Sequence, residues 1–155
     1  MRKIMNSLII SIFAMFLTSC ASTTVHQSSQ LIVPAAGAKW GIAPFDNHTQ
    51  TPQVGEKVVA MTATFLHAKG VHHIMIYHQK NSEQALLTGM TQSMSEEEML
   101  KWAKANRITY VMTGDVNEWR YKVGLDGEPV VSTSFTLYDV KKGEVIWSFV
   151  GSKTG

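Results

Sequence analysis

The sequence predicts an α/β domain: a mixed sheet flanked by helices, in the order β-α-β-α-β-β-β, with an antiparallel meander at its C-terminal end. Two observations carry this. Through the first two thirds of the chain, short β-branched and aromatic runs alternate with amphipathic segments, the pattern of strands joined by helical crossovers. After that, three β-rich runs follow one another with short glycine-containing connections, the pattern of hairpins. With 155 residues, 45% hydrophobic and 17% charged, the chain is one domain's worth and can bury a real core.

Ahead of that domain stands an address. Met1-Arg2-Lys3 is positively charged, and Ile4 to Leu17 is mostly apolar, with Asn6, Ser7 and Ser11 inside it. The run falls short of the roughly 20 apolar residues that a membrane-spanning helix needs, so it reads as a signal-peptide core. It ends in Leu17-Thr18-Ser19-Cys20. An aliphatic residue, two small ones and then cysteine resembles the lipobox of bacterial lipoproteins. That resemblance implies cleavage before Cys20, a diacylglycerol on its sulfur and an acylated amino group. Several acyl chains, at about 0.8 kcal/mol per buried methylene, make a firm membrane anchor. Ala21, where inner-membrane lipoproteins carry Asp, implies the outer membrane. Cys20 is the single cysteine, so its acylation leaves a domain without thiol or disulfide. The expected organisation is a signal peptide over 1–19, an acylated Cys and flexible tether over 20–38, and one periplasmic domain over 39–155. Within the tether, Ala21 to Gln30 is polar and aperiodic. Even fully extended it spans only about 35 Å, which keeps the domain close to its membrane.

The elements follow in order. Lys39 to Phe45 reads as the first strand, ended by the turn-forming run Asp46-Asn47-His48-Thr49. Glu56 to Lys69 places Val58, Met61, Thr62, Phe65 and Leu66 on one predicted helical face, with Gly70 where a helix favours a left-handed residue. Val71 to Tyr77 is a second strand by composition. Ser95 and Glu98 have the spacing of a capping box, with Met94 and Met99 as its hydrophobic staple. Glu96 to Glu98 put negative charge in the first turn, where the helix dipole favours it. This second helix should stop near Asn106. Three strands complete the sheet: Ile108 to Val123, Val130 to Val140 and Glu144 to Val150.

Charge and motif content exclude several functions. The chain has 14 basic and 12 acidic residues, but Arg2 and Lys3 leave with residues 1–19, so the remaining 136 residues balance. A neutral domain offers no general attraction to nucleic acid. Four histidines, His67, His72, His73 and His78, fall close together. On a strand His72 and His73 would point to opposite faces, and His72 and His78 would lie roughly 20 Å apart. No Cys, Asp or Glu stands among them to complete a metal site, so no metal or other cofactor is expected. Helix capping accounts for Glu96 to Glu98. There is no G-x-S-x-G elbow, P-loop or G-x-G-x-x-G pattern, and nothing favours an enzyme.

The aromatic residues say more. Trp102 falls among apolar residues of the second helix and reads as core. Trp119 and Tyr121 alternate with Arg120 and Lys122, which gives one face suited to burial or to an oligomer or carbohydrate contact. Trp147 and Phe149 share a face of the last strand, as core or as an aromatic belt at lipid headgroups.

Trp40-Gly41-Ile42-Ala43-Pro44-Phe45-Asp46-Asn47 resembles the first strand of the CsgG/TolB-N-like periplasmic lipoproteins. Tyr110-Val111-Met112-Thr113-Gly114-Asp115-Val116 is similar to their apolar strand reaching a Thr-Gly. Glu118 to Pro129 (EWRYKVGLDGEP), with Tyr138-Asp139-Val140 and Val145-Ile146-Trp147-Ser148, resembles the PelC family of Pel exopolysaccharide lipoproteins. The resemblance implies a non-enzymatic subunit of a periplasmic ring beneath the outer membrane. Its partners would be further copies of itself, an outer-membrane export channel and a cationic polysaccharide. Asp126 and Glu128 would contribute to the acidic polymer-facing surface, and Trp119, Arg120 and Trp147 are candidates for the polymer or subunit contacts. Two sister functions are a CsgG-like secretion component, for which the connections are too short to supply membrane hairpins, and an LpoB-like activator of a peptidoglycan synthase, for which the tether is too short.

Overall fold

In the computed structural model, which describes residues 22–27, 35, 37–78, 93–121 and 127–154, the alternating pattern folds into eight elements. The strands are β1 (Ser22–Gln27), β2 (Trp40–Asn47), β3 (Ile74–Ile76), β4 (Tyr110–Tyr121), β5 (Pro129–Asp139) and β6 (Glu144–Thr154). The helices are α1 (Val54–Ala68) and α2 (Glu96–Ala105). The strands form one mixed sheet in the order β1-β6-β5-β4-β2-β3. β2 runs parallel to both β3 and β4, as crossover connections require. β4, β5 and β6 form the antiparallel meander that the short connections predict.

β1 departs from the expected tether. Ser22 to Gln27 pairs antiparallel with β6, from Ser22 opposite Thr154 to Gln27 opposite Phe149. A sheet edge presents unpaired N–H and C=O groups, and a short polar segment with Thr and Val can satisfy them without an apolar pattern of its own. The signal peptide expected over 1–19, and Cys20 itself, lie outside the described residues. Among the described residues no helix is long and apolar enough to cross a membrane.

The parallel strands are covered on both faces, as such strands generally are. α1 packs on β2, β3 and β4, where Trp40, Ile42, Phe45, Val54, Val58, Leu66, Met112, Val116 and Leu137 form the larger core cluster. On the opposite face Met99 and Ala103 of α2 join Ala43, Ile108, Val111 and Val140. Each fully buried large side chain contributes about 1.5–3 kcal/mol of hydrophobic stabilisation.

The buried face of α1 is rotated from the one its spacing predicts: Val58, Thr62 and Leu66 are buried as expected, Met61 and Phe65 are not. Val54, Gly55, Val58, Thr62, Ala63 and Leu66 are buried, whereas Met61 and Phe65 are each 61% exposed. Small Gly55 and Ala63 let the helix roll toward the sheet, which turns Met61 and Phe65 outward. The helix ends as expected, with Gly70 at a φ of 87°. At α2 the capping box is complete. Ser95 Oγ accepts from the Glu98 backbone N–H at 3.3 Å, and the Glu98 carboxylate accepts from the Ser95 N–H at 3.1 Å. Asn106 is the C-cap.

Candidate functional site

Parallel strands bring their C-terminal ends to one side of a sheet, where open α/β sheets place their ligands. Here they are the end of β2 and the point on β4 where its parallel pairing with β2 stops, and they collect polar groups that no single stretch of sequence contains. Asp46 and Asp115 are partners across the β2–β4 ladder, so two carboxylates stand side by side. His48 Nε2 lies 3.1 Å from Asp115 Oδ1. Ser134 of β5 donates to Asp115 Oδ2 at 2.7 Å, and Ser93, just before α2, donates to Asp46 at 2.9 Å. Phe45 belongs to the core under α1, so alternation puts Asp46 on the α2 side of the sheet.

The sequence holds this group in place through Thr113-Gly114-Asp115. Pro44 interrupts β2, where the β2–β4 register shifts between Ile42 and Phe45. Proline has no N–H to give the ladder, and Thr113 Oγ1 steadies the strand by donating to the Pro44 carbonyl at 2.7 Å. Gly114 allows close approach, since a Cβ there would meet the Ser134 carbonyl oxygen at 2.0 Å and the Phe45 ring at 2.8 Å. Asp115 then presents its carboxylate between β2 and β5. The loop after β2 is fixed as well. Asn47 Oδ1 accepts from Thr49 N–H at 2.9 Å, Asn47 Nδ2 donates to the Thr51 carbonyl at 2.8 Å, and Thr51 Oγ1 donates to the Trp119 carbonyl at 2.9 Å. With His48 and Asp115 side chains 57% and 42% exposed, the group faces water. Its chemistry is that of a fixed acidic surface with a histidine at its rim, suited to attracting cations.

The residues singled out by sequence do not form one site. Trp119 is half-buried against the core under α1. Arg120 points to the other face and pairs with Glu118 at 2.6 Å. Tyr121 is 72% exposed. Trp147 is half-buried and stacks on Phe149 at 6.0 Å between centroids. Trp119 lies opposite Val131 and Trp147 opposite Leu137, so the two tryptophans share a face but stand roughly 20 Å apart along β5. Glu128 is half-buried at the start of β5, and Asp126 and Cys20 lie outside the described residues. His72 and His73 precede β3 rather than lying on a strand, and with His67 and His78 they are exposed. Among the described residues no group of His, Cys, Asp and Glu could hold a metal ion.

Trp102 meets Tyr77 edge-on at 5.3 Å and packs at the margin of the α2 core. Tyr138 ties α2 to the sheet by donating to Glu96 at 3.1 Å. Burial, and then the hydrogen bond to Glu96, raise its phenol above the usual tyrosine value.

No family profile matches the chain, and no curated protein does. Solved structures do. The PelC dodecamer from Paraburkholderia phytofirmans is 35% identical over 86% of this chain and 83% of its own, with a TM-score of 0.69. Lipoprotein GNA1162 from Neisseria meningitidis is 19% identical over 76% and 84%, with a TM-score of 0.55. The LpoB C-terminal domain from Salmonella enterica is 18% identical over 75% and 82%, with a TM-score of 0.52. The last two share the fold. Together with the sheet order and its two flanking helices, these likenesses define a class, the mixed-sheet α/β domain that GNA1162, LpoB and PelC have in common. Within that class the level of identity and coverage is decisive for one member: this chain belongs to the PelC family.

Proposed function

We propose that the protein is an outer-membrane lipoprotein, acylated at Cys20 and held on the periplasmic face. Its copies form a ring that guides a cationic, Pel-type polysaccharide to an outer-membrane channel. The role is one of binding and positioning, without catalysis. The observation that carries the reading is the 35% identity to the PelC dodecamer over 86% of the chain. Physical chemistry supports it. A ring repeats every surface feature once per copy, so the neighbouring carboxylates of Asp46 and Asp115 would recur around its axis. Many exposed, screened carboxylates raise the local concentration of a polycation, yet each holds it weakly enough to let it move on. Asp126 and Glu128 would add to that surface, with Arg120, Trp119 and Trp147 left for subunit or polymer contacts.

The test is export. Deleting the gene should abolish secreted polysaccharide while peptidoglycan synthesis continues. Asp46→Asn with Asp115→Asn should lower export several-fold in protein that still assembles. Unchanged polysaccharide alongside reduced wall synthesis would point instead to an LpoB-like activator.

A further inference from the structure

Two apolar surfaces of the described domain are incompletely covered, and they differ in kind. One is the outer stripe of α1, where Met61 and Phe65 are each 61% exposed and Lys69 Nζ sits 5.4 Å above the Phe65 ring. The other lies on the α1 side of the antiparallel strands. Phe135, Trp147 and Phe149 form a row there, with Phe149 5.9 Å from Phe135 and 6.0 Å from Trp147. Val25 of β1, 49% exposed, extends it. α1 packs on β2, β3 and β4, and Phe135 and Trp147 pack on the margin of the core it covers, Phe135 5.1 Å from Phe45, so the row leads outward from that core to Phe149.

We propose that these two surfaces meet between copies: the outer stripe of α1 of one copy docks on the Val25–Trp147–Phe149 strip of the next. This rests on the ring reading given above. Three observations select a second copy of this chain as the occupant. The 35%-identical PelC relative is a dodecamer. A ring is built from a heterologous contact, which needs two different surfaces that fit one another, and the chain carries such a pair. Strand register also offers one contact of opposite charge. Lys69 follows the end of α1, just before β3, whose Ile74 is level with Trp40. Trp40 is level with Tyr110, Tyr110 with Asp139, and Asp139 with Glu144. A sideways step that keeps strand polarity therefore brings Lys69 of one copy to the end of the next that carries Asp139 and Glu144 together with Lys141 and Lys142. Asp139 accepts from the backbone N–H groups of both lysines, so exposed Glu144 is the acid left to meet Lys69. Copies anchored at the same chain end in one membrane share that polarity, which disfavours an inverted two-fold pair.

The experiment is native mass spectrometry of the full chain extracted in mild detergent. The wild type should be a discrete large oligomer, and Phe65→Glu should be monomeric with an unchanged circular dichroism spectrum. Lys69→Glu should weaken the oligomer, and Lys69→Glu combined with Glu144→Lys should restore it. Intact rings in Phe65→Glu, or no recovery in the charge swap, would overturn this interface while leaving the ring itself standing. A monomeric or dimeric wild type would overturn the interface and the ring together.

Discussion

The sheet is two structures joined along β4. Its parallel part, β2 with β3 and β4, is closed between α1 and α2, and Ile42, Phe45, Val111 and Val116 there are inaccessible to solvent. Its antiparallel part, β5 with β6 and β1, lies beyond α1 and keeps its aromatic row only half-buried. Parallel strands come with helical crossovers that cover them, whereas a meander brings no helix of its own. The first part therefore carries the fully buried core, and the second leaves apolar side chains only half covered.

The sharpest way to break this contrast is a matched pair of truncations in the isolated monomer. Phe45→Ala should cost about 4 kcal/mol, through lost burial and the cavity left behind. Phe149→Ala, removing a half-exposed ring, should cost about half as much. Midpoints of chemical denaturation read both, and equal losses would refute the division. Gly114→Ala should come next, at about 3 kcal/mol, because overpacking here presses a methyl group on the backbone of β5. The same denaturation series checks it.

The smallest effect belongs to the local signal at α2. Ser95→Ala should cost about 1 kcal/mol by removing the N-cap. The hydrogen bond from the Ser95 side chain, and then that from its backbone, hold the Glu98 carboxyl below its usual value. A depressed folded pKa contributes stability above the ordinary carboxylate range, and that contribution is lost as pH falls through the folded value. The gap between Ser95→Ala and wild type should therefore narrow in acid, although the Glu98 N–H still donates to Ser95. A gap that stays constant into acid would show that the carboxylate plays no part.

That cap was readable because it is local. Ser95 and Glu98 are three positions apart, and no tertiary contact is needed to pair them. The alternation of strands and helices was equally legible, since each element carries its own period. The acidic group was not, since His48 and Asp115 are 67 positions apart and meet only through a parallel register that no single stretch encodes. Thr113-Gly114-Asp115 could be noticed as a pattern, but its reason lies in Pro44, Phe45 and Ser134. Met61 and Phe65 fit the helical period of a buried face, yet packing against Gly55 and Ala63 rotated the helix past them. β1 is not legible in its own stretch of sequence because its hydrogen bonds go to an edge supplied by the far end of the chain.

β1 also alters how an anchor would act. A ten-residue leash would let the domain swing as a ball on a string. With Ser22 seated opposite Thr154, an anchor two residues earlier in the chain would be tied to the sheet by a backbone link of at most about 7 Å. Copies held in that way would approach one another with the same end of the sheet toward the membrane. Part of the rotational freedom that assembly must remove would then be gone before two copies touch, and more modest contacts would close an assembly in the plane of the membrane.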